Sequence, residues 1–179
     1  MVVGLAGRRI DVPNPDVERF PLSNVELVRQ RLHDLFRQER PATLVSSAAC
    51  GADLIALEEA MALGIRRRVV LPCRPERFRL RSVIDRPGDW GPVFDRITDD
   101  AISNGDLIVL EDRMVDDRAT YEATNQKIID EARNLTELGG IPLAVVVWEG
   151  ASRGDDDLTV AFGREAASKG LRVVHVSTL

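Results

Sequence analysis

Apolar and polar positions along the 179-residue chain alternate between two periods. Short continuous apolar runs fall at 2–6, 43–48, 69–73, 107–110, 142–148 and 171–177. Their length and β-branched content predict strands buried on both faces. Between them, apolar residues recur every three or four positions. Val25, Val28, Leu32, Leu35 and Phe36 mark the inner face of a first helix, and Leu54, Leu57 and Met61 that of a second. Phe94, Ile97 and Ala101 predict a third, Tyr121, Asn125, Ile128, Ala132 and Leu135 a fourth, and residues 159–169 a fifth. Ser23 with Glu26 three residues on reads as a capping box for the first helix, which Pro41 closes. Gly64, Asn104-Gly105, Gly139-Gly140 and Gly170 stop the others.

Pro13, Pro15 and Pro21 keep the connector after the first strand non-helical. Residues 74–90, where Arg74, Arg77, Arg79 and Arg81 interleave with Phe78, Leu80 and Val83, read as a long irregular loop. Loops of that length in a compact domain are commonly covers over a site. Strands alternating with helices predict one α/β domain over 1–179. Its core would be a doubly wound, Rossmann-like parallel sheet of about six strands with helices on both faces.

Composition narrows the function. A net charge of −5 argues against nucleic acid or an acidic membrane surface as partner. Two cysteines make no disulfide framework, and the expected setting is a reducing cytoplasm. The N-terminal apolar run reaches Arg8 too soon for a signal peptide, and no stretch approaches spanning length.

In a doubly wound sheet, ligands sit outside the carboxyl ends of the strands. The stretch 43–58 ends a strand in small residues, Ser46 to Ala49, turns at Cys50-Gly51 and restarts as a helix at Ala52. Helix N–H groups aimed there would favour an anion by roughly 0.3–1 kcal/mol. The ligand-binding candidates on this edge are Gly7, Arg8, Ser46, Ser47, Gly51, Ala52, Asp53 and Thr159. Arg8 or Arg9 would offer a guanidinium fork to phosphate. Asp53 either complements its helix dipole or accepts from a ribose hydroxyl. Thr159 either caps the last helix or holds a phosphate. Asn125 must be satisfied by backbone or by ligand. Trp90 and Trp148 either stack on a base or fill the core.

Candidate catalytic carboxylates are Asp53, Asp112 and Glu149. Cys50 reads as a small packed cysteine, because neither His33 nor His175 has a reason to meet it. Asp155-Asp156-Asp157 is either a solvated charge run or a cation loop. No metal or cofactor is predicted.

Three segments carry a family resemblance. Leu44-Val-Ser-Ser-Ala-Ala-Cys-Gly-Ala-Asp-Leu with Ala60 and Gly64, Val69-Val-Leu-Pro72, and Trp148-Glu-Gly through Asp157-Leu-Thr159 to Gly170-Leu-Arg-Val resemble the SLOG superfamily of Rossmann-like nucleotide-binding domains. That group joins the DNA-processing protein A fold to the cytokinin-activating phosphoribohydrolases, with nucleoside 2-deoxyribosyltransferases and TIR domains as distant kin. Phosphoribohydrolases carry Pro-Gly-Gly-x-Gly-Thr-x-x-Glu after the fourth strand, where this chain reads Leu110-Glu-Asp-Arg-Met-Val-Asp-Asp. Deoxyribosyltransferases place a nucleophilic Glu three residues past a Gly-Thr, where this chain has Leu158-Thr159 and then Phe162.

The resemblance therefore implies the pocket without the familiar catalytic carboxylates. It implies a sensor for a small nucleotide or ADP-ribose-like ligand in bacterial-type signalling, with a homodimer or an effector protein as partner. The alternative is an enzyme that hydrolyses or transfers across an N-glycosidic bond, and a further one is an interaction domain without ligand.

Overall fold

The computed structural model describes residues 1–110, 118–154 and 156–179. Strand β1 spans Val2–Gly7. A short 3₁₀ turn at Leu22–Asn24 leads into α1 (Val25–Glu39), β2 (Thr43–Ser46), α2 (Ala52–Ala62) and β3 (Arg66–Leu71). Helices α3 (Pro75–Ser82) and α4 (Gly91–Ser103) then precede β4 (Leu107–Val109). The chain ends with α5 (Arg118–Asn134), β5 (Leu143–Val147), α6 (Leu158–Ser168) and β6 (Arg172–Val176).

All strand pairs are parallel, in the order β4-β3-β2-β1-β5-β6. The chain winds outward from β1 to β4, and α5 returns it to β5 beside β1. Two apolar clusters follow from this path. One joins the sheet to α1, α2 and α4, and the other joins the opposite face to α5 and α6. The fold is a doubly wound Rossmann-like sheet with helices on both faces. Its strand order reverses between β1 and β5, where the carboxyl ends part to leave a crevice.

Helix α2 has no polar face. Ala52 through Leu57, with Glu59 and Ala60, are buried, so the helix is wrapped by the sheet and its neighbouring helices instead of presenting one inner stripe. Its approach to β1 needs Gly7, because a Cβ there would lie 2.4 Å from the Ala52 Cβ and 2.7 Å from the Val147 Cβ.

Two local expectations are corrected. The Ser23–Glu26 capping box is absent. Ser23 lies inside the 3₁₀ turn that Pro21 initiates, so Asn24 takes the cap position and makes no side-chain cap bond. The Asn24 amide instead donates to the Thr178 carbonyl at 3.0 Å. Residues 74–90 are not an irregular loop throughout, since α3 occupies Pro75–Ser82. Pro75 in its first turn suits a helix start, and Phe78 anchors it by stacking on Phe94 with ring centroids 6.0 Å apart.

Gly7→Ala should destabilise the fold by about 1–3 kcal/mol, because the β1–α2 contact cannot widen without moving the sheet. Urea denaturation of the variant checks this; an unchanged midpoint would mean that the contact yields freely.

Candidate functional site

A cavity of about 340 Å³ opens at the carboxyl edge of the sheet, at the switch point between β1 and β5. Its floor is the end of β1, Leu5 to Gly7, with Ser47 and Asp53 from the β2–α2 unit. Helix α5 forms one wall through Tyr121, Asn125 and Ile128, and Leu158 and Thr159 at the start of α6 form the next. Phe78 and Ser82 of α3 close the opposite side, with Arg86 just beyond them. The segment expected to cover the site thus contributes to its lining, as a helix.

Behind this cavity lies a buried charge cluster. Arg8 follows directly on β1, and its side chain is 1% exposed. Its Nε donates to Glu149 at 2.7 Å, and its terminal nitrogens donate to both oxygens of Asp157 at 2.6 and 2.7 Å. One terminal nitrogen also reaches Glu149 and the Ala151 carbonyl, each at 3.1 Å. Glu149 receives a second guanidinium, that of Arg19. Asp157 is the N-cap of α6, accepting from the Thr159 and Val160 N–H groups. Burial opposes the charge on Arg8, Glu149 and Asp157. The reciprocal bonds outweigh it, holding Arg8 above its ordinary pKa and Glu149 and Asp157 below theirs.

These contacts reassign several expected roles. Arg8 is not a cavity-lining group, because its fork is occupied by two carboxylates. Glu149 is held by Arg8 and Arg19, which leaves it without the freedom of a catalytic base. Asp157, and not Thr159, caps α6, while Thr159 lies in its first turn and lines the cavity. The N-terminus of α2 is not free either: the Ala52 N–H donates to the Arg8 carbonyl at 3.1 Å and the Leu54 N–H to the Ala49 carbonyl at 3.3 Å.

Ser46 is buried and donates to the Leu5 carbonyl at 3.2 Å, while Gly51 sits with φ 96° against the Arg8–Ile10 backbone. Gly7, Ser47, Asp53 and Thr159 do meet around the cavity; Ser46, Gly51 and Ala52 support it from behind. Asp112 and Asp155 lie outside the described residues. Asp156 pairs with Arg118. The Asn125 amide donates to the Leu158 carbonyl at 3.1 Å, so backbone satisfies it. Trp90 is a core residue whose Nε1 donates to the Pro87 carbonyl, and Trp148 donates to Nδ1 of His175; neither lines the cavity. Cys50 is fully buried, and burial pushes its thiol pKa up against the pull of Arg9.

The cations that do line the cavity are Arg9, Arg19, Arg86 and Arg153, against two carboxylates, Asp11 and Asp53. Asp11 is committed to the Arg19 and Phe20 N–H groups at 2.8 and 2.9 Å. Arg9 pairs with Asp85, Arg19 with Glu149, and Arg86 approaches Asp85 at 3.7 Å. Arg153 has no carboxylate partner among the described residues. Desolvation and the charges of Arg8 and Arg19 lower its pKa against the pull of Asp157 and Glu149, and the residue keeps an exposed surface through which an anion can reach it. Of these, only Arg9 was weighed from sequence. Arg153 sat in a polar loop with no periodicity to mark it.

Asp53 is the remaining acid. Its Oδ2 accepts from the Ala49 N–H at 3.2 Å, and its Oδ1 is buried without a partner. Burial pushes its carboxyl up to about 7, against the Ala49 and Gly7 N–H groups and Arg9. Among the described residues, no three His, Cys, Asp or Glu side chains gather to hold a metal, and no helix is long and apolar enough to cross a membrane.

No protein-family model and no curated protein matches the chain. Among solved structures, it is similar to the X-ray structure of DNA processing protein A (DprA) from Streptococcus pneumoniae, at 14% identity and a TM-score of 0.44. The similarity covers 98% of this chain and 58% of that one, so this chain spans less than two thirds of that protein's length.

Two variants test the site's electrostatics. Arg8→Gln strips Glu149 and Asp157 of their buried partner and should cost roughly 3–5 kcal/mol. Arg153→Gln, which breaks no ion pair among the described residues, should stay within about 0.5 kcal/mol. Equal urea midpoints for the two would contradict the assignment. For Asp53, the folded carboxyl keeps its proton to about 7, against 3.8 in its ordinary environment. Ionising it therefore removes stability as pH rises through that window. Asp53→Asn should gain on wild type between pH 4.5 and 7.5, and a pH-independent gap would contradict the burial of that charge.

Proposed function

We propose that this chain is a binding module for a small nucleotide or nucleotide-derived ligand of the ADP-ribose type, seated in the switch-point cavity. The observation that carries the reading is the unpartnered Arg153 guanidinium on a cavity lined by four arginines and two carboxylates. A phosphate there would satisfy Arg153 through charge-assisted hydrogen bonds. Ser47 and Thr159 offer hydroxyls, and the Gly7 backbone allows close approach. The place agrees with where doubly wound sheets bind ligands. The SLOG-type motifs of the sequence point the same way, toward a sensor whose partner is a second copy or an effector protein.

A second reading, cleavage or transfer at an N-glycosidic bond, is favoured by one observation. Asp53 keeps a buried carboxyl oxygen unbonded at the cavity. An oxocarbenium-like state needs such a group nearby. Glu149 is excluded from that role by its two arginines.

Thermal shift and mass spectrometry on one panel separate the readings. Nucleotides, NAD, ADP-ribose and cyclic variants are incubated with the protein, and melting temperature and released base are both recorded. A ligand at about 100 times its dissociation constant stabilises by about 2.7 kcal/mol. The expected outcome is stabilisation with the ligand recovered intact, and a loss of about tenfold or more in affinity in Arg153→Gln. Released base that vanishes in Asp53→Asn would establish the enzyme instead. No shift and no product would leave an interaction domain without ligand.

A further inference from the structure

The unbonded oxygen of Asp53 says more about the ligand than its charge does. Asp53 is 7% exposed, in the first turn of α2, and lines the cavity. A buried polar atom with no partner is costly and rare in native folds. Oδ2 accepts from the Ala49 N–H, and although the Gly7 N–H lies close to the same carboxyl, Oδ1 has no hydrogen bond of ordinary geometry. The Gly7 N–H from β1 and Arg9 from the following loop act on this carboxyl, and Arg86 beyond α3, Tyr121 from α5 and Arg153 from the β5–α6 loop line the same cavity. Arg9 makes no hydrogen bond to Oδ1: a terminal nitrogen is bonded to Asp85, and its Nε is itself buried without a partner.

We propose that Oδ1 of Asp53 accepts a hydrogen bond from the sugar diol of a phosphorylated ribose whose phosphate lies at Arg153. The assignment rests on the binding reading of the cavity.

Elimination supports the diol. A cationic donor would have to enter a cavity lined by four arginines. An anion against Asp53 would meet a carboxyl, while the same cavity offers it guanidinium groups. A neutral hydroxyl is the donor that suits both ends. The volume of about 340 Å³ lies at the low end of the ~300–1,000 Å³ usual for ligand sites. It therefore fits a sugar phosphate or mononucleotide better than an extended dinucleotide.

Isothermal titration calorimetry tests this. Ribose 5-phosphate, AMP, ADP-ribose, and the 2′-deoxy and 3′-deoxy forms of AMP are titrated into wild-type protein and into Asp53→Ala. The expected result is affinity at least tenfold weaker for one or both deoxy forms than for AMP in the wild type, with that difference lost in Asp53→Ala. Equal affinity for AMP and both deoxy forms, or a difference that survives in Asp53→Ala, would each overturn the Asp53 assignment and leave the binding reading standing. If none of the phosphorylated riboses binds, both fall together.

Discussion

Arg8 is the residue on which the rest of this architecture hangs. A guanidinium that leaves water is tolerable only when its charge and donors are matched, and breaking such a match costs several kcal/mol. Here the partners, Glu149 and Asp157, lie 141 and 149 positions away. Their positions are consequential: Glu149 closely follows β5, and Asp157 caps α6. One side chain thereby ties the end of β1 to the end of β5 and to the helix beyond it. The β5–α6 loop is pinned at both ends, and it is this loop that carries Arg153 to the cavity.

The cluster also shapes the field felt by a ligand. Arg8 and Arg19 are set against Glu149 and Asp157, so the buried group is close to neutral as a whole. What remains for the cavity is the outer ring of arginines, and among these Arg153 alone lacks a carboxylate partner among the described residues. Close packing completes the site. Gly7 and Gly51 let α2 and the β1–α1 backbone approach without intervening side chains, and the first turn of α2 delivers Asp53 to the floor. The same approach consumes the helix N–H groups, and so anion affinity at this edge is a matter of side chains more than of the helix terminus.

The sheet was legible in the sequence because each strand contains an apolar run, although β3 begins at Arg66, three arginines ahead of the apolar run expected at 69–73; α1, α4 and α5 were legible because their inner faces repeat at helical spacing. Helix α3 was not, since Phe78 is its single apolar anchor among arginines and the burial of Ser82 leaves no periodic trace. The capping box at Ser23 looked correct locally and failed because Pro21 starts a 3₁₀ turn one residue earlier than a helix would allow. At the site, sequence placed Gly7, Ser47, Asp53 and Thr159 on the right edge, since strand ends and helix starts locate them. It assigned Arg8 to phosphate and left Arg153 unnoticed. Which of two adjacent arginines turns inward depends on carboxylates more than a hundred residues away, and no local pattern encodes that. The Asp157 cap was within reach, since an Asp ahead of the helical residues 158–168 is a standard N-terminal signal.

The division of labour between Arg8 and Arg153 is the central claim, and a crystal structure of the protein grown with AMP tests it most directly. The expected result is phosphate density on the Arg153 guanidinium inside the switch-point cavity, with Arg8 still bonded to Glu149 and Asp157. Phosphate bound by Arg8, with either carboxylate displaced, or AMP bound elsewhere on the molecule, would contradict it.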